Sequence, residues 1–576
     1  MRILGAFADV GSRIPRKLRI QLLVITSLRM VLALLDLIGV VFIAAFSASS
    51  LSSLTNSQVG ERGEIPINLR TDLSAVSLLI IGVASLALKS ICSLVLSNHQ
   101  SRLLNNEASR QIGQLARSLF ITPQYEISQL SSQELHFLLT AGVRASVTGL
   151  LGPAITLVAE VFVLFLLIGF LMSTNFVLSS FILTAFGGTS FLLFRLIGNR
   201  QYRLGQLLGS ANIQSLSVLQ ELTYGYREFW PRGTMRDHLS KFEMCEQEMS
   251  VIQTKQNFFS LIPRHGLEIL VMVGLGAIAV ATSAGSQSGN SLILLVVFAT
   301  TAIRILPCLI PIQASVAEIQ TNLGIASSLA IVRELTQKHV PMTDHHAAKK
   351  SSQVDMCEIK IRNLVFRYKD SRSDLISCKS LDIIGPGLIA VTGPSGSGKS
   401  TFFDLVLGIK QPSSGSIQVN RLSPNQLITS RPGICGYLPQ RITGLNLTLA
   451  ENVAFGSPVN EIDESRVLKL LKDVGLSELI DRTALGIWTP IGELANSISG
   501  GQMQRLGIAR CLYTSPQLLL IDEATSGLDL KSRTAIVNMI SQLAREILVI
   551  AISHQSEFQD YAKSVLAIEA GQLKPL

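Results

Sequence analysis

The sequence has few charged residues, few aromatic residues and no paired cysteines. Asp, Glu, Lys and Arg make up 15% of the 576 residues, and the mean hydropathy is +0.41, on the apolar side of soluble proteins. The seven cysteines stand apart, without the C-x-x-C spacing of zinc sites, which indicates reduced thiols. The first 20 residues lack the short apolar core and cleavage site of a signal peptide. The composition predicts a membrane protein of at least two domains.

The basic residues form no long run and no patch interleaved with aromatic residues. The net charge of +9 therefore does not indicate a nucleic-acid partner, and we expect none. A surface that faces anionic lipid accounts for the excess of positive charge more simply. The lipid bilayer is thus the first partner that the sequence predicts.

Six apolar stretches are long enough to cross a bilayer, which takes about 20 helical residues. The predicted spans are Leu22–Phe46, Leu73–Ser97, Leu150–Met172, Phe176–Ile197, Phe258–Ala281 and Ser291–Ile312. The third and fourth spans are separated by three residues and so form a tight hairpin. The long polar stretches 98–149 and 198–257 have helical periodicity and are predicted as two cytoplasmic loops.

The distribution of Lys and Arg gives the orientation. Residues 1–20 carry five of them, residues 98–149 four and residues 198–257 seven, whereas the other side has only Arg62 and Arg70. By the positive-inside rule, the N-terminus and both long loops face the cytoplasm.

The composition and the hydrophobic pattern of the sequence change after the sixth span. Residues 336–353 are rich in charge and small residues and are predicted to be a linker. From residue 354 short β-rich runs alternate with helices, as in an α/β domain. The predicted fold is a membrane α-helical domain with six transmembrane helices at residues 1–335, and an α/β P-loop NTPase domain at 354–576. No internal repeat is present, so one chain carries one of each.

A glycine-rich loop follows one of the predicted strands. GPSGSGKST fits the pattern G-x-x-x-x-G-K-[ST], in which backbone N–H groups wrap phosphates, the lysine reaches the β- and γ-oxygens and the following hydroxyl binds Mg²⁺. An apolar strand precedes the loop and a helix follows it, as the pattern requires. The predicted nucleotide-binding residues are Gly393, Pro394, Ser395, Gly396, Ser397, Gly398, Lys399, Ser400 and Thr401.

Two acidic residues end a later apolar strand. Leu518–Asp522 is followed by Glu523. A carboxylate at a strand end suits a Mg²⁺ ligand, which is the role predicted for Asp522. Glu523 can orient and polarise the attacking water as a general base.

ISGGQ, between these two phosphate elements, resembles the signature of ATP-binding cassette (ABC) proteins, at the start of a predicted helix. The resemblance extends to an adenine-stacking aromatic, a Q-loop glutamine, a D-loop, a switch histidine and an exporter X-loop. These elements fall on Tyr368, Gln440, Ser526–Asp529, His554 and Thr489–Ala495, and the signature on Ser499, Gly500, Gly501 and Gln502. Two departures stand out: the X-loop ends in Leu-Ala rather than Arg-Gly, and Gln555 replaces the usual arginine after the histidine.

The resemblance implies an ABC exporter half-transporter that hydrolyses ATP with Mg²⁺. Glu523, His554 and Gln440 would be catalytic, and Ser400, Gln440 and Asp522 would hold the metal. In this family the signature of one cassette closes over the phosphate loop of another. One chain therefore cannot complete a site, and a symmetric homodimer with head-to-tail cassettes is implied.

The membrane spans contain charged residues that are costly in a bilayer. They are Arg29, Asp36, Lys89, Glu160, Arg195, Arg264, Glu268 and Arg304. One interpretation is internal neutralisation, since Arg264 and Glu268 are one helical turn apart. The other rests on ALLDLIGVVFIAAF, AEVFVL, IPRHGLE, AIRILP and QELTYGYREFW, which resemble segments of bacterial lipid-linked-oligosaccharide flippases.

In those flippases a basic belt engages the pyrophosphate of a polyprenyl-linked glycan. The matching positions are Lys89, Arg264 and Arg304, with lysine in place of arginine at the first, which pairs with phosphate as a point charge without the bidentate fork. The expected cargo is such an anionic lipid, in a bacterial plasma (inner) membrane with the cassette in the cytoplasm. An exporter of other lipids, drugs or peptides is the nearest alternative. An ATP-gated channel or regulatory membrane protein is less favoured, because its cassette commonly lacks the glutamate.

Overall fold

The chain divides into two compact units, the first formed mainly by residues 1–339 and the second mainly by residues 340–576. The computed structural model describes residues 11, 14–32, 34–35, 75–121, 130–174, 176–283, 288–327, 356–368, 371, 373–440, 442, 445, 447–483, 485–491, 498–523, 530–552 and 556–576. The predicted linker at 336–353 lies outside these residues.

The first unit consists of long helices. Their bounds are α1 (residues 16–32), α2 (Ala75–Ile121), α3 (Ser132–Phe137), α4 (Val143–Thr174), α5 (Phe176–Arg232), α6 (Met235–Ser283) and α7 (Ser288–Ala326), and a π-helical turn at Leu138–Gly142 joins α3 to α4. Every described residue of the six predicted spans is helical. Within the described residues, three stretches are long and apolar enough to cross a membrane, namely Leu79–Phe120, Ser132–Gly169 and Met235–Gly276. They overlap the second, third and fifth predicted spans.

The predicted cytoplasmic loops are helical extensions of the spans rather than irregular loops. Helix α5 runs on from the fourth span to Arg232, and α6 begins at Met235 and runs into the fifth. The turn between them is closed by Gly233, which has φ 69° and whose N–H donates to the carbonyl of Trp230. A residue in this left-handed conformation ends a helix, and glycine adopts it without strain. The polarity of these stretches predicts that they lie outside the bilayer, and their helical periodicity predicts that they are helical.

Helices α5 and α7 approach each other closely at two glycines. A Cβ on Gly205 would lie 2.2 Å from the carbonyl oxygen of Thr321, and a Cβ on Gly324 would lie 2.3 Å from that of Tyr202. Beside this crossing, the Thr321 hydroxyl donates to the Gln201 side chain at 3.2 Å. Only residues without a side chain permit this backbone separation, so the crossing depends on both glycines.

The second unit is built on one sheet. The described strands are β1 (Glu358–Phe366), β2 (Ile376–Ile384), β3 (Gly387–Thr392), β4 (Ser414–Val419), β5 (Cys435–Leu438), β6 (Leu518–Asp522), β7 (Leu548–Ile552), β8 (Ser564–Glu569) and β9 (Gln572–Pro575). Their order is β4-β1-β2-β9-β8-β3-β7-β6-β5. Strands β3, β5, β6 and β7 pair in parallel, whereas β1 pairs antiparallel with β2 and β4. The strand predicted before the glycine-rich loop (β3) and the strand predicted before Glu523 (β6) are confirmed.

Helices cover the parallel strands. They are α8 (Lys399–Val406), α9 (Pro424–Ser430), α10 (Leu449–Val453), α11 (Glu464–Asp473), α12 (Ser477–Asp481), α13 (Gly500–Tyr513) and α14 (Leu530–Leu543). All five residues of both β6 and β7 are buried, as expected for parallel strands that are covered on both faces. The carboxyl ends of β3, β7 and β6 therefore lie side by side, which is where such sheets place their ligands.

Candidate functional site

The glycine-rich loop joins β3 to α8 and encloses a backbone cradle. Gly393, Gly396 and Gly398 have φ values of 148°, 78° and 101°, a region that favours glycine. A Cβ on Gly393 would lie 2.5 Å from the carbonyl oxygen of Ile568. The path of the loop thus depends on glycine where the sequence pattern places it.

Lys399 extends its side chain back along this loop. Its ammonium donates to the carbonyl oxygens of Gly393 and Pro394, both at 2.9 Å, and the residue is only 6% exposed. Burial lowers the pKa of Lys399, and the negative charges of Glu523 and Asp522 oppose that effect. A buried ammonium held by neutral carbonyls is ready to exchange them for a stronger anionic acceptor.

The end of β6 brings Asp522 to the start of α8. Asp522 is 6% exposed, and its carboxylate hydrogen-bonds with the side chains of Ser400 and Tyr437. Burial raises the pKa of Asp522, the bond from Ser400 lowers it, and the neighbouring Glu523 raises it. Burial, with the negative charge of Asp522, also raises the pKa of Tyr437 to about 12, so the phenol remains a donor.

Glu523 lies beside Asp522 and contacts the glutamine of the predicted Q-loop. The Gln440 Nε2 donates to the Glu523 Oε2 at 2.5 Å. Glu523 has φ 51°, an uncommon conformation for a residue with a side chain, and such strain concentrates at functional sites. Its own N–H donates to the carbonyl of Ile552 at the end of β7, which ties the strained residue to the neighbouring strand.

Tyr368 lies two residues after the end of β1. Its hydroxyl is 3.2 Å from the Thr401 Oγ1 in α8, and its ring meets the Phe366 ring edge-on with 5.1 Å between centroids. The side chain is 38% exposed. The structure thus brings the predicted adenine-stacking residue to the same helix as the phosphate loop.

The predicted signature begins a helix. Ser499 is the N-cap of α13: its hydroxyl accepts from the N–H of Gln502 at 3.2 Å, and the Gln502 side chain accepts from the N–H of Ser499 at 2.9 Å. This reciprocal pair fixes the first turn. The N–H groups of Gly500 and Gly501 therefore lie at the positive end of a 14-residue helix.

The donor set of the site fits a magnesium-bound nucleotide. Ser397 has a buried hydroxyl with no hydrogen-bond partner in the described part of the chain, at the base of the backbone cradle, and a phosphate oxygen would satisfy it. Ser400 and Asp522 offer the oxygen ligands that Mg²⁺ prefers.

Some predicted site residues fall outside the described residues. They are His554, Ser526–Asp529 and the end of the X-loop, Gly492–Ala495. In the membrane unit, Lys89 lies in α2, Arg264 in α6 and Arg304 in α7, with the Arg304 side chain also outside the described part. Arg264 forms an ion pair with Glu268 at 3.0 Å, and Arg29 donates to Ser97 and Thr156 and interacts with Glu160. Asp36 is not among the described residues.

The sequence pattern gave no indication of Tyr437 and Lys410. Tyr437 precedes the Q-loop glutamine by three residues in β5, and only the pairing of β5 with β6 brings it to Asp522. Lys410 lies behind Tyr368, with its ammonium 5.6 Å from the ring centroid. No local pattern marks either position, because both depend on contacts between separate segments.

Comparison with known proteins supports the assignment of both units. The family model for the ABC transporter domain matches residues 380–526. The lipid A-core flippase of Polaromonas sp. is 27% identical over 74% of this chain and 71% of its own length, and that of Pasteurella multocida is 25% identical over 73% and 72%. ABC transporter B family member 29 of Arabidopsis thaliana is 33% identical over 40% of this chain, which spans only 35% of that relative.

A solved structure shares the fold over nearly the whole chain. A bacterial Atm1-family ABC exporter with ATP bound superposes with a TM-score of 0.75 at 20% identity, covering 97% of this chain and 94% of the other. The predicted fold of six exporter-type membrane helices followed by an α/β cassette is confirmed. The matching family model, the flippase relatives and the shared fold together support an ABC exporter half-transporter, in which a membrane domain is fused to one ATP-binding cassette, and the enzyme class of a transport-coupled ATPase.

Proposed function

We propose that the chain hydrolyses ATP with Mg²⁺ at the described site and uses it to move an anionic lipid to the outer leaflet of a bacterial plasma membrane. The observation that carries the hydrolytic step is the Gln440–Glu523 hydrogen bond at the end of β6. It places a carboxylate next to Asp522 and close enough to Lys399 to interact with it electrostatically. Binding, metal and base groups thus converge on one strand end.

The roles of the residues follow from these positions. Lys399, Ser397 and the loop N–H groups hold the β- and γ-phosphates. Ser400 and Asp522, together with Gln440, would hold Mg²⁺, which neutralises charge on the phosphate oxygens. Glu523 accepts a proton from the attacking water while Gln440 fixes the carboxylate orientation. His554 is proposed, from the family pattern, to contact the γ-phosphate.

We further propose that two copies form the working unit. One chain has one phosphate loop and one signature, and the capped N-terminus of α13 presents N–H groups that can bind a phosphate. Ser499 and Gly501 would serve the ATP of a second copy. The Lys and Arg distribution supports a cytoplasmic location for both cassettes. A mixed dimer of Lys399→Ala and Ser499→Arg chains should retain one intact composite site, whereas each variant alone retains none.

The anionic lipid cargo rests on relatives and on membrane charge. Both flippases named above act on lipid A-core, and the basic positions Lys89, Arg264 and Arg304 lie in three different helices. Arg264 is paired with Glu268 in this structure, so the neutralisation interpretation holds for that residue here. A pyrophosphate or phosphate headgroup would have to compete with Glu268 for the guanidinium, and a bidentate phosphate contact can do so.

The test of the cargo is removal of charge from the membrane helices. Arg264→Gln combined with Arg304→Gln should lower the transport of a polyprenyl-pyrophosphate glycan at least tenfold in proteoliposomes, with lipid A as the parallel substrate. Lys241→Gln combined with Lys255→Gln is the matched control, because it also removes two positive charges, from exposed positions in α6 outside the predicted span. If both lipids are still moved at the wild-type rate, the basic positions do not bind cargo. If only one lipid loses transport, that lipid is the cargo that the belt binds.

A further inference from the structure

Lys410 follows α8 and is tied to that helix. Its ammonium hydrogen-bonds with the carboxylate of Asp404, and its backbone N–H donates to the carbonyl of the same residue at 3.1 Å. The two side chains are only 18% and 24% exposed. Because Lys410 and Asp404 are joined through both their backbones and their side chains, the two side chains have fewer accessible rotamers than those of an exposed ion pair. The Lys410 ammonium is therefore held in a more fixed position.

The fixed ammonium lies against Tyr368. Its Nζ is 5.6 Å from the ring centroid, within the range of a cation–π contact. Burial opposes the charge on Lys410, but the Asp404 carboxylate and Tyr368 outweigh it, so the pKa of Lys410 is raised. Lys410 therefore stays cationic at neutral pH.

Tyr368 is thereby held by three separate contacts. Phe366 meets its ring edge-on, Thr401 lies 3.2 Å from its hydroxyl, and Lys410 contacts it on a third side. Strand β1 ends at Phe366, and the carbonyl of Tyr368 accepts a turn hydrogen bond from the N–H of Ser371 at 3.0 Å, which leaves the ring to be oriented by side-chain contacts. Its orientation depends on these side-chain contacts, and Lys410 is the one among them that carries charge.

On the basis of the proposed ATP site, we propose that Lys410 is a positioning residue that holds Tyr368 in the orientation in which its ring stacks on the nucleotide base. Lys410 acts through the tyrosine and does not touch the nucleotide. The hydroxyl of Tyr368 contacts the Thr401 Oγ1, so the part of the ring that remains for the base is its face. Stacking does not distinguish between bases, since every base has a π-face. Loss of Lys410 should therefore weaken ATP and GTP binding by the same factor.

The experiment uses the full chain in proteoliposomes. Lys410→Met removes the charge, Lys410→Arg keeps it, and each is combined with Tyr368→Leu. The control is Lys574→Met, which removes a lysine from an exposed ion pair with Glu569. Equilibrium binding of ATP and GTP is measured by displacement of a fluorescent nucleotide, and kcat and KM by phosphate release.

We expect Lys410→Met to raise the ATP and GTP dissociation constants and KM by three- to tenfold, with kcat within twofold of wild type. Lys410→Arg should return KM to within twofold, and Lys410→Met should add nothing in the Tyr368→Leu background. An unchanged KM, or an equal rise in that background, overturns the proposal. If Lys410→Met fails to fold, Asp404→Asn tests the same anchor and should shift KM in the same direction. Lys399→Ala tests the proposed ATP site separately from the positioning role of Lys410. If the Lys399→Ala protein hydrolyses ATP at the wild-type rate, the proposed function fails. If it loses activity while Lys410→Met leaves KM unchanged, only the positioning role is overturned.

Discussion

Replacing Glu523 by glutamine isolates the hydrolytic step from nucleotide binding. The substitution keeps the side-chain volume and one oxygen that can accept from Gln440, but it removes the negative charge that would take a proton from water. A positioned general base contributes about 10²–10⁴ in rate, which corresponds to about 3–5 kcal/mol of the activation barrier. We therefore expect kcat to fall by at least two orders of magnitude.

ATP binding, unlike hydrolysis, should not be weakened by Glu523→Gln. Glu523 raises the pKa of Asp522, so its neutralisation lowers that pKa and keeps the proposed metal ligand ionised to lower pH. The backbone strain at φ 51° is unchanged, because glutamine meets the same restriction there as glutamate. ATP affinity should be equal to or higher than that of wild type, and its loss on acidification should move to lower pH.

The assay is phosphate release by the purified protein in proteoliposomes, with equilibrium ATP binding measured in parallel between pH 5 and 8. Glu478→Gln is the control, since it removes an exposed carboxylate from α12 in the same unit. A Glu523→Gln protein with kcat within tenfold of wild type would refute the role of the general base. A large loss of ATP affinity would instead show that Glu523 serves binding.

Two further predictions concern stability. Gly205→Ala should lower the melting temperature of the detergent-solubilised protein, because the added Cβ would meet the Thr321 carbonyl and such overpacking costs about 1–3 kcal/mol. The control is Gly113→Ala, whose added Cβ has nothing within 4 Å and should leave the melting temperature unchanged or raise it. Equal effects of the two substitutions would contradict the close crossing. Burial raises the pKa of Cys511 from 9.0 to about 12, so above about pH 9 the thiol ionises only in the unfolded chain and stability falls as pH rises, by about 1.4 kcal/mol at pH 10. Cys511→Ala should show a smaller drop in melting temperature between pH 8 and 10, and parallel pH profiles would exclude this linkage.

The phosphate loop was predictable because its chemistry is local. Gly393 through Thr401 are contiguous, and the pattern itself demands a strand before and a helix after, which the structure has. Asp522 and Glu523 were predictable for the same reason, since an apolar strand precedes them directly. The six spans followed from hydropathy alone, because a bilayer-crossing helix needs a long apolar stretch.

Contacts between distant segments were not predictable. Tyr437 reaches Asp522 only because β5 pairs with β6 across the 79 residues that separate the two strands. Lys410 reaches Tyr368 only through a contact between the segments that follow α8 and β1. The strained φ of Glu523 depends on its bond to the end of β7, which no sequence pattern reveals. The helical extensions of the spans were predictable only in part. Their periodicity predicted helix, but the sequence could not show that each extension continues its span without a break.

The uninterrupted course of α5 makes it a mechanical lever. Its 57 residues measure about 86 Å at 1.5 Å per residue, and about 52 Å of that length lies between Ile197, where the predicted span ends, and Arg232. Within a stiff rod, a tilt of about 10° at the span displaces the far end by about 9 Å. Small rotations of the membrane segment are thus amplified along this rod into displacements the size of several side chains at the end that carries Arg232.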